Sequence, residues 1–429
     1  MGTWQRMRHR EASTGTMNVA VSGAGFFGKG LVHQLDRAPG MQPAIVVNRT
    51  PAHGVRAFEL AGWEASAVLV SDDHGELSRA VEGGRPAVTR DPDAVAAVDG
   101  IDVVVEATGA MTYGAQLMLT ALAAGRDVVS MNAEVDALLG YLLHRHAREH
   151  GARWTIGDGD QPGVLMRQIE HVAGMGFEIV AAVNCKRNLD VYQNPTDSQP
   201  YADRDGTSVL MTTAAGDGTK MQIENAVVAN LTGLVPECRG MHGIETTLAH
   251  AAADISAVLS RRGVVEFTRG GDFGGGVGVV GHADDPVMVQ PYMRYSKMGD
   301  GPDYFFFRPY HLLHFEVPLT IADLALDGQV LGEPVGPPVA EVVAVAKRDL
   351  EAGEQLDGIG GYTCYGHVDT VEGARGFLPM GLTEHARVVA PVRRDETVPL
   401  DAVELDEDAE LVRLRRRQDQ LVAAPHDRA

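Results

Sequence analysis

The chain is 429 residues long, more than one ordinary hydrophobic core can hold, so two or three domains are expected. Hydrophobic residues at 45% and charged residues at 22% describe a globular protein and argue against wholesale disorder. A formal net charge of −21, without a long interior basic run, argues against nucleic acid or an anionic membrane as partner, and no apolar stretch reaches the roughly 20 residues that span a bilayer.

Residues 1–16 hold several arginines and no apolar core, so they read as a disordered extension and not as a signal peptide. Met17 to Val21 is a short apolar run ending in Ser22-Gly23-Ala24-Gly25-Phe26-Phe27-Gly28, followed by a helical pattern with Leu31, Val32 and Leu35 on one face. A second apolar run, Ala44 to Val47, ends in Asn48-Arg49-Thr50. Strand, glycine turn, helix and strand within about 30 residues is the context in which Gly23-x-Gly25-x-x-Gly28 predicts a dinucleotide site. Gly23 allows the tight turn, Gly25 lets the backbone approach a pyrophosphate and Gly28 lets helix and strand pack closely. The helix start, at Phe26 and Phe27, offers N–H donors to the anion. An acidic residue about 20 positions on would mark NAD(H). Asn48, Arg49 and Thr50 stand there instead, and Arg49 suits a 2′-phosphate, so NADP(H) is preferred over NAD(H).

The alternation continues through Asp102 to Glu106, ending in Thr108-Gly109, and through Asp127 to Ser130, leading to Asn132 and Glu134 before a long helix from Val135 to His150. Arg153 to Ile156 is the next strand. Thr108, Gly109, Asn132 and Glu134 are candidate nicotinamide or substrate contacts, with helix capping the alternative for Asn132. Apolar strands alternating with amphipathic helices specify an α/β fold, a Rossmann doubly wound parallel sheet over 17–157. Residues 158–330 read as an α+β substrate and dimerisation domain, 339–406 as a small all-β module after a Gly/Pro-rich linker, and 407–429 as a flexible tail.

Asp158-Gly159-Asp160-Gln161 sits at a strand's carboxyl end, where two carboxylates one residue apart suit a divalent cation, a base or a helix-capping turn. Cys185-Lys186-Arg187-Asn188 ends another strand, and Asp217-Gly-Thr-Lys220 opens a helix. Hydride transfer to a carbonyl needs a proton donor at the developing alkoxide, and Lys186 and Lys220 are the two candidates, with Asp217 beside the second. Lys297, Arg308 and His311 suit an anionic substrate group, and Gln161 and Asn188 join them as substrate candidates. The aromatic run Tyr304 to Phe307 is expected at a domain interface. Cys185, Cys238 and Cys364 lack CxxC spacing, which fits a reducing cytoplasm.

Five motifs in order carry a family resemblance: Asp158-Gly-Asp-Gln-Pro-Gly163, Asp217-Gly-Thr-Lys-Met-Gln222, Arg239-Gly-Met-His-Gly243, Lys297-Met-Gly-Asp-Gly-Pro302 and Arg308-Pro-Tyr-His311. The chain resembles, from Met17 to about residue 400, the homoserine dehydrogenase-like oxidoreductases with a C-terminal SAF module, among them deoxyxylulose-phosphate reductoisomerase-like enzymes. Lys347 to Gly353 and Asp357 to Tyr362 resemble the SAF (β-clip) portion. The resemblance implies an NAD(P)-dependent oxidoreductase on a small polyol, hydroxy acid or sugar phosphate. In reductoisomerase-like members it also implies Mg²⁺ or Mn²⁺, for which Asp158 and Asp160 are the candidate ligands. Cys185 to Pro195 departs from those members and is similar to the branch named after homoserine dehydrogenase. A homodimer or homotetramer is expected. The alternative from another class is a cofactor-bound binding protein without turnover.

Overall fold

A computed structural model describes residues 2–424. The chain divides into two compact units: residues 1–160 with 312–333, and 161–311 with 334–429. Among the described residues no helix is long and apolar enough to cross a membrane.

The first unit is built on seven parallel strands in the order β3-β4-β2-β1-β5-β6-β7. They are β1 (Met17–Ser22), β2 (Met41–Val47), β3 (Leu69–Val70), β4 (Ala87–Thr89), β5 (Val103–Glu106), β6 (Asp127–Ser130) and β7 (Trp154–Ile156). The order reverses at β1, which lies between β2 and β5, so the carboxyl ends of β1, β2 and β5 surround a crevice. Continuous burial of Val19, Ala20, Val21, Ile45, Val46, Val104 and Val105 is what a strand covered on both faces requires.

Two expectations about this unit are corrected. Residues 3–14 form a helix, Thr3–Thr14, rather than a disordered extension. Its Met7 is fully buried against the same core as Val19 and Leu35, and Arg6 pairs with Asp327. Residues 312–333 also belong here and not to the substrate domain. Val317, Ile321, Ala322 and Leu324 of the helix Val317–Asp327 complete that core, a contact made by residues far away in sequence.

The second unit carries a mixed sheet in the order β10-β11-β8-β12-β13, with β9 also pairing β11. Its strands are β8 (Glu178–Lys186), β9 (Val235–Pro236), β10 (Ile244–Glu245), β11 (Val264–Arg269), β12 (Val277–His282) and β13 (Asp303–Arg308). The aromatic run forms β13 of this sheet: Tyr304 is fully buried against Phe177, and Phe305 and Phe307 stack and meet Phe273. Strand β14 (Ala340–Ala346) pairs with β15 (Cys364–Thr370), and β16 (Ala386–Val388) with β17 (Val403–Leu405).

This β portion is not a separate body. Lys347 meets Asp217 at 2.8 Å, Arg239 meets Asp369 at 2.7 Å, and Gln222 accepts from the Val368 amide at 2.9 Å. The predicted flexible tail is largely the helix Glu410–Ala423, which buries Leu411, Val412 and Leu414 and pairs Arg415 with Glu341. Residues 425–429 lie outside the described residues.

Candidate functional site

In the first unit, a cavity of about 590 Å³ opens where β1, β2 and β5 end. Its walls include Gly23, Gly25, Asn48, Arg49, Thr50 and Thr108. The glycines differ in what they permit. Gly23 has φ +99, a conformation that side chains avoid. A Cβ on Gly28 would sit 2.0 Å from the Gly23 carbonyl oxygen, whereas one on Gly25 would meet nothing within 4 Å. The helix Phe26–Leu35 begins with no side-chain cap and no acidic residue in its first turn, which leaves a site suited to a phosphate. Asn48 holds the crevice together: its Oδ1 accepts from the Ala24 amide at 3.0 Å and its Nδ2 donates to the Thr50 carbonyl at 2.8 Å. These walls fit a dinucleotide: a turn with glycine at Gly23 and Gly25, a helix start, and an Arg49 with no carboxylate among the cavity's lining residues.

Sequence reasoning missed three polar residues of this cavity, His53, Arg90 and Tyr113. Arg90 follows β4, whose three-residue strand carries too short a pattern to be noticed, and Asp72 holds its guanidinium at 2.6 Å. Burial raises the Tyr113 hydroxyl pKa.

Asn132 and Glu134 are not among the cavity's lining residues. Asn132 is fully buried, caps the helix Ala133–Glu149 through Val135 and donates to Glu106 Oε2 at 2.9 Å, so the structure shows the capping arrangement. Glu106, another group sequence reasoning did not single out, is fully buried and also accepts from Thr108, and burial raises its pKa. Asp158 is buried, donates its backbone amide to the Thr320 hydroxyl oxygen at 2.8 Å, and accepts from the Gly159 amide at its carboxylate. Among the described residues no group of three or more His, Cys, Asp or Glu is placed to hold a metal ion, so Asp158 and Asp160 do not by themselves make a donor set.

In the second unit both candidate lysines meet one buried network. Lys186, at the end of β8, donates to Gln161 Oε1 at 3.0 Å. Lys220, in the first turn of the helix Thr219–Thr232, has its Nζ 3.7 Å from Glu224 Oε1. Asn184 joins the two by donating to Gln161 Oε1 at 2.9 Å and Glu224 Oε2 at 3.0 Å. Gln161, Asn184 and Glu224 are each no more than 2% exposed, and Asn184 Oδ1 has no hydrogen-bond partner among the described residues. Such a network is expensive unless every member is satisfied. The sequence offered no sign that Asn184 or Glu224 would join it.

Asp217 lies elsewhere: it is buried, accepts from the Thr219 amide at 2.8 Å and pairs with Lys347, a contact that ties elements together. Asn188 is exposed in the loop after β8. Arg308, which stacks on Tyr310 at 4.8 Å, ends β13 opposite Val277, itself opposite Asn184, so it belongs to the same sheet end as Lys186. His311 follows that end by three residues. Lys297 does not share it. It sits in the β12–β13 connection, whose strand ends His282 and Asp303 pair at the Glu178 end of β8, so grouping Lys297 with Arg308 and His311 by sequence proximity is corrected by the antiparallel register.

Residues 23–156 match the family model of the homoserine dehydrogenase NAD binding domain, and residues 159–317 match that of the oxidoreductase DRL catalytic domain. The chain thus carries a homoserine dehydrogenase-type NAD binding domain followed by an oxidoreductase DRL-type catalytic domain. A 79-residue stretch of this oxidoreductase is 37% identical to a homoserine dehydrogenase of Methylobacillus glycogenes, covering 18% of the chain and 19% of that relative, about a fifth of its length. Among solved structures, a DOX-P reductoisomerase with fosmidomycin and magnesium is 17% identical over 50% of this chain and 56% of its own, with a TM-score of 0.35. A Lactobacillus casei scyllo-inositol dehydrogenase with bound NAD(H) and scyllo-inositol is 14% identical over 73% and 90%, with a TM-score of 0.42. The first unit carries an NAD binding domain and residues 159–317 match an oxidoreductase catalytic domain, which favours an enzyme over a binding protein without turnover.

Proposed function

We propose that the oxidoreductase prefers NADP(H) and interconverts a small anionic polyhydroxy carbonyl compound and its alcohol. When bound, the nicotinamide supplies or accepts the hydride. What this chain must add is a place for the substrate and a proton for the alkoxide that hydride addition creates. The observation that carries the reading is the meeting of Lys186 and Lys220 on one buried network. A lysine ammonium held against a carboxylate can hand its proton to a developing alkoxide. That makes Lys220, facing Glu224, the proposed donor. Lys186, bonded to the neutral Gln161 amide, is proposed to orient the substrate oxygen, and Arg308 to take an anionic substituent.

The test is turnover on a panel of polyols, hydroxy acids and sugar phosphates, beside a direct measurement of NADPH affinity. Lys220→Ala is expected to lower kcat by about 10²–10⁴ and Lys186→Ala to lower kcat/KM, both with NADPH affinity intact. Unchanged turnover in both variants would reject the assignment. The preference for NADP(H) rests on Arg49, with Arg90 and His53 on the same cavity wall. A tenfold tighter Kd for NADH than for NADPH would sink it.

A further inference from the structure

Four of the five most exposed large apolar side chains among the described residues stand on one short helix, Pro286–Tyr295. They are Tyr295 at 89%, Val287 at 80%, Tyr292 at 68% and Met288 at 61%. No residue of this helix is buried, although its sequence is mostly apolar. Met288, Tyr292 and Tyr295 follow i, i+4, i+7 spacing and form one stripe. An apolar stripe of this kind normally covers a core. Here it forms a patch on the order of a few hundred Å², the level at which exposed apolar surface marks an interaction site. The helix connects β12 to β13 at the Glu178 end of β8, the end opposite Lys186, so the catalytic proposal does not use it.

Its charges identify the occupant. Asp284 and Asp285 precede the first turn, Lys297 and an Arg294 already paired with Asp300 lie at the other end, and there is no carboxylate between Pro286 and Tyr295. We propose that this helix packs antiparallel against its own copy in a second chain, forming the centre of a twofold homodimer. With the axis near Pro291, Asp285 of one copy faces Lys297 of the other, and Val287 faces Tyr295. Each contact then occurs twice, as an isologous interface demands. Parallel packing would set acids against acids. The absence of carboxylates along the stripe lets two chains, each of net charge −21, approach at this face. A standard interface buries roughly 800 Å² per partner, so neighbouring residues must add to the helix.

The test is sedimentation equilibrium of the full chain at micromolar concentration. The wild type is expected to be a dimer, and Met288→Asp with Tyr292→Asp a monomer with unchanged far-UV circular dichroism. Lys297→Glu, which sets it against Asp285 of the other copy, is expected to weaken the dimer at least tenfold, and adding Asp285→Lys to restore it, because a twofold axis pairs the two reversals across chains. Tyr292→Cys, beside the axis, is expected to form an interchain disulfide under mild oxidation. A monomeric wild type overturns the proposal, as does a dimer indifferent to the paired aspartates. A cysteine variant that dimerises without cross-linking places the axis elsewhere and also overturns it.

Discussion

Asp136, at the start of the helix Ala133–Glu149, is a carboxyl almost without water. It is 6% exposed, and burial, joined by the nearby Glu106, Glu134 and Asp160, holds its pKa well above the usual carboxylate range. The native state therefore keeps a proton that the unfolded chain releases above about pH 4, so this residue's contribution to stability falls as pH rises from there through its folded pKa. Asp136→Asn is accordingly expected to be more stable than wild type at pH 8, with the gap closing toward pH 4, as followed by urea melts across that range. A gap that widens on acidification would contradict the sign. Arg49 is the second residue whose role can be measured alone. If it meets a 2′-phosphate, Arg49→Ala should weaken NADPH by roughly 10–100-fold, the value of a charged hydrogen bond of about 1.5–3 kcal/mol, and leave NADH nearly unchanged. Isothermal titration with both nucleotides reads this directly.

Elements show where local pattern is enough and where it is not. The glycine turn is legible because its demands are local: Gly28→Ala would drive a methyl into the Gly23 carbonyl. It is expected to cost about 1–3 kcal/mol and most of the dinucleotide affinity, seen in a thermal melt run with and without NADPH. The first helix was illegible for the opposite reason. Thr3–Thr14 is mostly polar, and only Met7 is buried, so no periodicity announces it. Met7→Ala is expected to cost about 2–5 kcal/mol by denaturant titration, an effect that a disordered extension would not produce. In the second unit, Lys347 reaches from the end of β14 to Asp217 with its side chain 4% exposed. Removing it leaves a buried charge unpaired, and Lys347→Ala is expected to destabilise by about 3–5 kcal/mol.

At the scale of the whole molecule, each unit is assembled from separate stretches of chain. The first takes residues 312–333 back after the second has begun, and the second resumes at residue 334. A fragment cut at the strand-pattern boundary, residues 17–157, would therefore lack both Met7 and the helix Val317–Asp327, which cover one core. Such a fragment is expected to be molten or aggregated. Residues 1–160 joined by a flexible linker to 312–333 should fold cooperatively and bind NADPH. Near-UV circular dichroism and nucleotide titration of the two fragments make the comparison.

The dinucleotide turn, the alternation of strands and helices and the cofactor class are written in near-neighbour patterns: glycine spacing, apolar runs of strand length and the residue that ends β2. Those were readable because backbone sterics and strand or helix periodicity act over a few residues. Which lysine meets which carboxylate, that Lys297 lies at the far end of the sheet from Arg308, and that both chain ends of the first unit close over one core were decided only by tertiary structure. Strand register and packing join groups that are distant along the chain, and no local pattern records those partners.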